Sequence, residues 1–188
     1  NEQMQADVRA VELNWFESDA GVTALTPRII GETERAQTSK AARSSLAPIS
    51  REGWIAKHIE PFGDEAAAAA YRFIDIVAAA GGHAEVSSAQ GSIIAVFETP
   101  TGPLYPMALN FSAKGSIVLS LQYIAHRPAF ASEEARKAIY DRLTAIVGPL
   151  STQTLKGFPK FAATKLNDAD VGTQVEALLR DLAEQAHA

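Results

Sequence analysis

A chain of 188 residues with a net charge of −5 and a pI near 5.4 is long enough to bury a core without staples, and its acidity runs against the basic footprint of a strong non-specific nucleic-acid binder. Cysteine is absent, which excludes disulfides, thiolate zinc sites and a cysteine nucleophile, and fits an intracellular, cytoplasmic location. Apolar runs such as Ile93 to Phe97 fall far short of the roughly 20 residues of a membrane helix, and residues 1–20 are studded with carboxylates, so no membrane partner and no signal peptide are expected.

The first residue is Asn1 and not Met, which points to a trimmed chain or the tail of a longer one. Met4, Val8, Val11 and Trp15 stand at spacings of four, three and four, a helical stripe that Ser18 to Gly21 ends. Val22 to Ile30, rich in β-branched residues, reads as a strand with Pro27 at an edge. Residues 1–31 therefore form a helix-strand segment. Residues 32–50 are polar and without period, and read as a linker whose Glu32, Glu34, Arg35, Lys40 and Arg43 are solvated.

The α+β domain spans residues 51–188. Ser50 caps a short helix carrying Trp54, Ile55 and Ile59, which Pro61 and Gly63 stop. Asp64 caps a second helix, whose Ala66 to Ala70 run permits close packing and whose Tyr71, Ile74 and Val77 form a face before Gly81-Gly82. Four strands follow, His83 to Val86, Ile93 to Glu98, Leu104 to Phe111 and Ser116 to Ile124. Their connections are too short for crossovers, so the sheet is an antiparallel meander. Tyr105, Met107, Leu109 and Phe111 share one face of their strand, as do Ile117, Leu119, Leu121 and Tyr123 of theirs. Ser132 caps a helix with an Ala135, Ile139, Leu143 and Ile146 stripe. Phe158 to Leu166 adds a short edge strand, and Asp168 opens a last helix along Val171, Val175, Leu178 and Leu182. The expected architecture is α+β, a four- to five-stranded antiparallel meander with helices on one face.

No catalytic constellation stands out. His58, His83, His126 and His187 have no metal-ligand spacing, and Gly81-Gly82 and Gly91 fit neither a Walker loop nor a dinucleotide fingerprint. The pairs Asp64-Glu65 and Glu133-Glu134 open helices, where the dipole explains them. No catalytic, metal or cofactor residue is assigned, and no cofactor is expected. Two polar candidates for ligand or nucleic-acid contact remain. His126 and Arg127 leave the last long strand, a place where function often resides, although the simpler reading, in which Pro128 sets up the helix and Arg127 is solvated, is the one favoured. Lys156, Lys160 and Lys165 interleave with Phe158 and Phe161, a pattern that sets cations beside stacking rings. Phe158 and Phe161 also suit a core.

With Trp54 before a helix, Gly91-Ser92-Ile93-Ile94 opening a strand, Gln122-Tyr123 leading to Arg127-Pro128-Ala129-Phe130, the run Arg142 to Ile146 and a later Pro159, the order resembles a family of bacterial proteins. These are the C-terminal accessory regions of uncharacterised proteins that carry an N-terminal nuclease-like domain of the PD-(D/E)XK type. The opening helix and strand, through Ile30, are similar to what closes such nuclease-like domains. The resemblance implies an accessory domain without catalysis. No strand here offers the acidic residue and the Glu-x-Lys pair that would hold magnesium, so no catalytic residue carries over.

Two readings of function follow. The first is a non-catalytic binding module, accessory to a DNA-processing protein, with nucleic acid as partner. The second is a protein-interaction or homo-oligomerisation domain that uses the open sheet face. A small-molecule enzyme, third, requires a deep pocket with perturbed titratable groups.

Overall fold

The computed structural model describes residues 10–17, 23–30 and 47–187, and the chain divides into two compact units, Asn1–Leu46 and Ala47–Ala188. In the first unit β1 (Ala10–Glu17) and β2 (Thr23–Ile30) pair antiparallel as a two-stranded sheet. The helix expected through Val11 and Trp15 is thus a strand, while Met4 and Val8 lie outside the described residues. Val11, Leu13 and Trp15 also recur at period two, and pairing sets them opposite Ile29, Pro27 and Leu25. The helical stripe and the strand alternation share Val11 and Trp15, and pairing with β2 decided between them. Pro27, in a two-stranded sheet, stands on an edge as its missing N–H requires. Residues 32–46 of the expected linker lie outside the described residues.

In the second unit, α1 (Arg51–His58) begins where the Ser50 hydroxyl accepts from the Gly53 N–H at 3.0 Å. A short 3₁₀ turn, Glu60–Phe62, leads into α2 (Asp64–Ala79), whose N-cap is Gly63 and not Asp64. The buried face of α2 is Ala66, Ala69, Ala70, Phe73, Ile76 and Val77, so Val77 is on it while Tyr71 is 39 % exposed. The Gly82 N–H reaches the Val77 carbonyl and the Gly81 N–H that of Ala78, with Gly81 at φ +91°, a Schellman stop that glycine alone enters without strain. Gly82 has a different task. A Cβ there would lie 2.7 Å from Phe97 Cε1 and 2.8 Å from the Val96 carbonyl oxygen, so its bareness lets helix and sheet meet.

The sheet is a five-stranded antiparallel meander in chain order, β3 (His83–Val86), β4 (Ser92–Val96), β5 (Met107–Asn110), β6 (Ser116–Leu119) and β7 (Lys160–Ala162). The register aligns Val86, Ile93, Leu109, Ile117 and Phe161 in one row and Glu85, Ile94, Ala108, Val118 and Lys160 in the next. Ile93, Leu109, Ile117 and Phe161 belong to the core beneath the helices. By strand alternation the second row faces the other way. Helices therefore cover one face, with α4 (Glu133–Val147) and α5 (Ala169–His187) completing the layer. Ser132 caps α4 through the Ala135 N–H, and Asp168 accepts from Asp170 and Val171 to start α5. The expected α4 stripe shifts by one residue at its ends. Arg136, Ile139, Leu143 and Val147 are the buried residues, and Arg136 reaches the Phe130 and Ala131 carbonyls.

The strand expected over Ser116 to Ile124 ends early. β6 stops at Leu119, the Ser120 N–H turns to the Pro106 carbonyl, and Leu121–Ile124 forms the helical turn α3. A helical turn breaks the two-residue alternation, so Leu121 goes to the core while Tyr123 is 57 % exposed. The strand expected over Leu104 to Phe111 is likewise shorter, because Pro106 cannot donate to a ladder. Leu104 makes only an isolated bridge to Phe97, and Phe111 falls beyond β5 and is exposed.

Candidate functional site

The sheet face opposite the helices carries a groove of about 1060 Å³. Its floor is the second transverse row, in which β4 contributes Ile94, β5 Ala108, β6 Val118 and β7 Lys160. These side chains share a face because the register brings them opposite one another, and they are apolar up to Lys160 at the β7 edge. Ser92 and Asn110, paired across β4 and β5, add a polar step toward one end of the strands. Tyr105, Ser120, Tyr123, His126 and Arg127 stand toward the other end.

The early end of β6 builds that wall. Because the chain turns helical after Ser120, Tyr123 leaves the core layer and meets Phe158 edge-on, at 5.3 Å between centroids and 64° between planes. Phe158 is 41 % exposed, whereas Phe161, three residues on, is buried, so the two rings part company. Pro159 lies between them, buried, and its carbonyl accepts from the Leu119 N–H.

Of the residues singled out from sequence, His126, Arg127, Phe158 and Lys160 line this one groove. Lys156 and Lys165 do not. The Lys156 ammonium is 3.5 Å from a Glu133 carboxylate oxygen on an exposed surface, and the Lys165 ammonium donates to the Val147 carbonyl at the end of α4. Arg127 is at the groove with its two terminal nitrogens already donating to the Thr101 and Pro103 carbonyls, which ties the 99–103 turn to the segment after α3. Lys160 differs. Its backbone exchanges hydrogen bonds with Ser151, while its ammonium pairs with no carboxylate among the described residues. Among the described residues no carboxylate lines the groove, although the chain as a whole is acidic.

Sequence reasoning missed Ile94, Ala108, Val118, Asn110, Ser120 and the exposed setting of Tyr123. The floor was available by subtraction, since a core face made of Met107, Leu109, Ile117 and Leu119 leaves Ala108, Asn110, Val118 and Ser120 for the other face. Tyr123 was hidden by the helical turn.

A second aromatic group lies apart from the groove's lining. His58 stacks on Phe111 at 5.2 Å and 24°, and sits 5.1 Å from Trp54, whose indole N–H donates to the Gln90 carbonyl. Burial holds the His58 imidazole below the usual histidine range, and the neighbouring Lys57 charge acts in the same direction. Among the described residues no cluster of His, Asp and Glu could hold a metal ion, and none of their helices is long and apolar enough to cross a membrane. No family model, no curated protein and no solved structure matches the chain, so the groove is read from its own chemistry.

Proposed function

We propose that the chain is a non-catalytic binding module whose ligand site is the groove on the sheet face opposite the helices. One observation carries this reading. Residues distant in sequence, from Ile94 to Lys160, converge as an apolar floor, an aromatic wall and cationic edges, with no carboxylate among them in a chain of net charge −5. The volume suits a bound molecule, and a few polar groups around an apolar floor is how ligand sites are commonly built.

An accessory role on nucleic acid is the narrower form of this reading. It asks for several cations along a phosphate track, and Lys156 and Lys165 are engaged elsewhere. Retention on single- and double-stranded DNA at low ionic strength decides that form. The reading as a whole is tested by amide chemical-shift mapping against a set of anionic, cationic and neutral small molecules. Shifts gathered on Ile94, Ala108, Val118 and Tyr123 are expected. Shifts gathered around Phe111 and His58, or none at all, overturn it.

A further inference from the structure

The ligand class follows from how the groove spends its charge, an inference that rests on the groove being the binding site. The floor from β4 to β7 crosses three inter-strand steps, about 14 Å at the usual spacing, and is aliphatic at Ile94, Ala108 and Val118. That is the length of an extended chain of about twelve carbons, and it lies perpendicular to the strands with a single ammonium, Lys160, at its end. Arg127, the other cation of the lining, stands off this row toward the strand ends and gives two of its N–H groups to the Thr101 and Pro103 carbonyls. Glu85 closes the same row on β3, outside the lining. An anionic group is therefore attracted to the β7 end of the row and repelled from the β3 end.

A nucleic-acid strand wants repeated cations and flat stacking surfaces along its whole path. Here the row has its one cation at one end, the floor is aliphatic, and the exposed rings of Tyr123 and Phe158 meet edge to face beside it. We propose that the groove binds a small free amphiphile with one anionic group, its carboxylate on Lys160 and its apolar body along Val118, Ala108 and Ile94.

The test uses the full chain with dodecanoate, the neutral dodecanol and a twelve-nucleotide single-stranded DNA as probes, each below its aggregation limit, read by amide shifts and by affinity. Dodecanoate is expected to shift the floor residues and to bind about tenfold more tightly than dodecanol, the difference a charge-assisted contact supplies. Lys160→Met should abolish that difference, and Lys160→Arg should restore most of it. The substitution spares the fold, since the Lys160 backbone and not its side chain holds Ser151. Equal affinity for dodecanoate and dodecanol, or groove shifts with the DNA alone, overturns the ligand class while the groove stands as a site. Absence of groove shifts with every probe overturns both.

Discussion

Ile93 and Ile94 are neighbours on β4 with opposite fates, and replacing each in turn by alanine separates the two faces of the sheet. Ile93 is 0 % exposed in the core under the helices, whereas Ile94 is half-buried on the groove floor. Isoleucine to alanine removes three carbons, worth about 2.4 kcal/mol at about 0.8 kcal/mol each. For Ile93 the space left behind is sealed, and the cavity adds to the loss, so the total should reach about 3–4 kcal/mol. For Ile94 one side already faces the groove and no sealed cavity forms, so about 1 kcal/mol is expected. Urea unfolding of both variants in a Trp15→Phe background measures this, because the buried Trp54 then reports the second unit alone. Equal losses, or a larger one at Ile94, would mean that the faces are exchanged. A one-residue slip of register exchanges the faces in this way.

Other expectations follow from the same packing. Gly82→Ala should cost more than Gly81→Ala would from its left-handed backbone alone, since its new Cβ would press on the Val96 carbonyl at 2.8 Å; thermal unfolding of the two variants ranks them. Asp168→Ala removes the acceptor for the Asp170 and Val171 N–H groups and should lose about 1 kcal/mol, with Asp168→Asn recovering most of it in the same denaturation assay. Lys165→Met should cost about 1 kcal/mol by orphaning the Val147 carbonyl, and leave every groove affinity unchanged, which a combined unfolding and titration series would show. His58 has a folded-state value below its unfolded one, so the unfolded chain takes up the proton first. Stability should then be fully present above about pH 6.5 and decline as pH falls below it, a decline that His58→Gln removes; unfolding measured from pH 8 to pH 5 reads this out.

The meander was legible because its strands alternate and its connections are short. Met107 and Leu109, or Ile117 and Leu119, name a core face with no help from tertiary contacts. Caps were legible too, since Ser50, Ser132 and Asp168 each accept from backbone N–H groups that nothing else in the helix can satisfy. What escaped was set by non-local pairing. Val11 and Trp15 fit a helix and a strand equally well, and only β2 resolves them. Leu121 and Tyr123 continue the alternation of β6 on paper, but the Ser120 N–H bonds to Pro106 and the chain turns helical, which sends Tyr123 to the groove wall. The three lysines of 156–165 looked equivalent in sequence. Glu133 engages one and the Val147 carbonyl another, both partners belonging to a different helix, and Lys160 alone is left on the groove floor.

Intermolecular NOEs to the methyl groups of Ile94, Ala108 and Val118, recorded with methyl-labelled chain and bound dodecanoate, test the groove most directly. Contacts from the alkyl chain to all three methyl positions, with the carboxylate end nearest Lys160, are the predicted result. Contacts confined to the surroundings of His58 and Phe111, with none to these methyl groups, would contradict the assignment of the sheet face as the binding site.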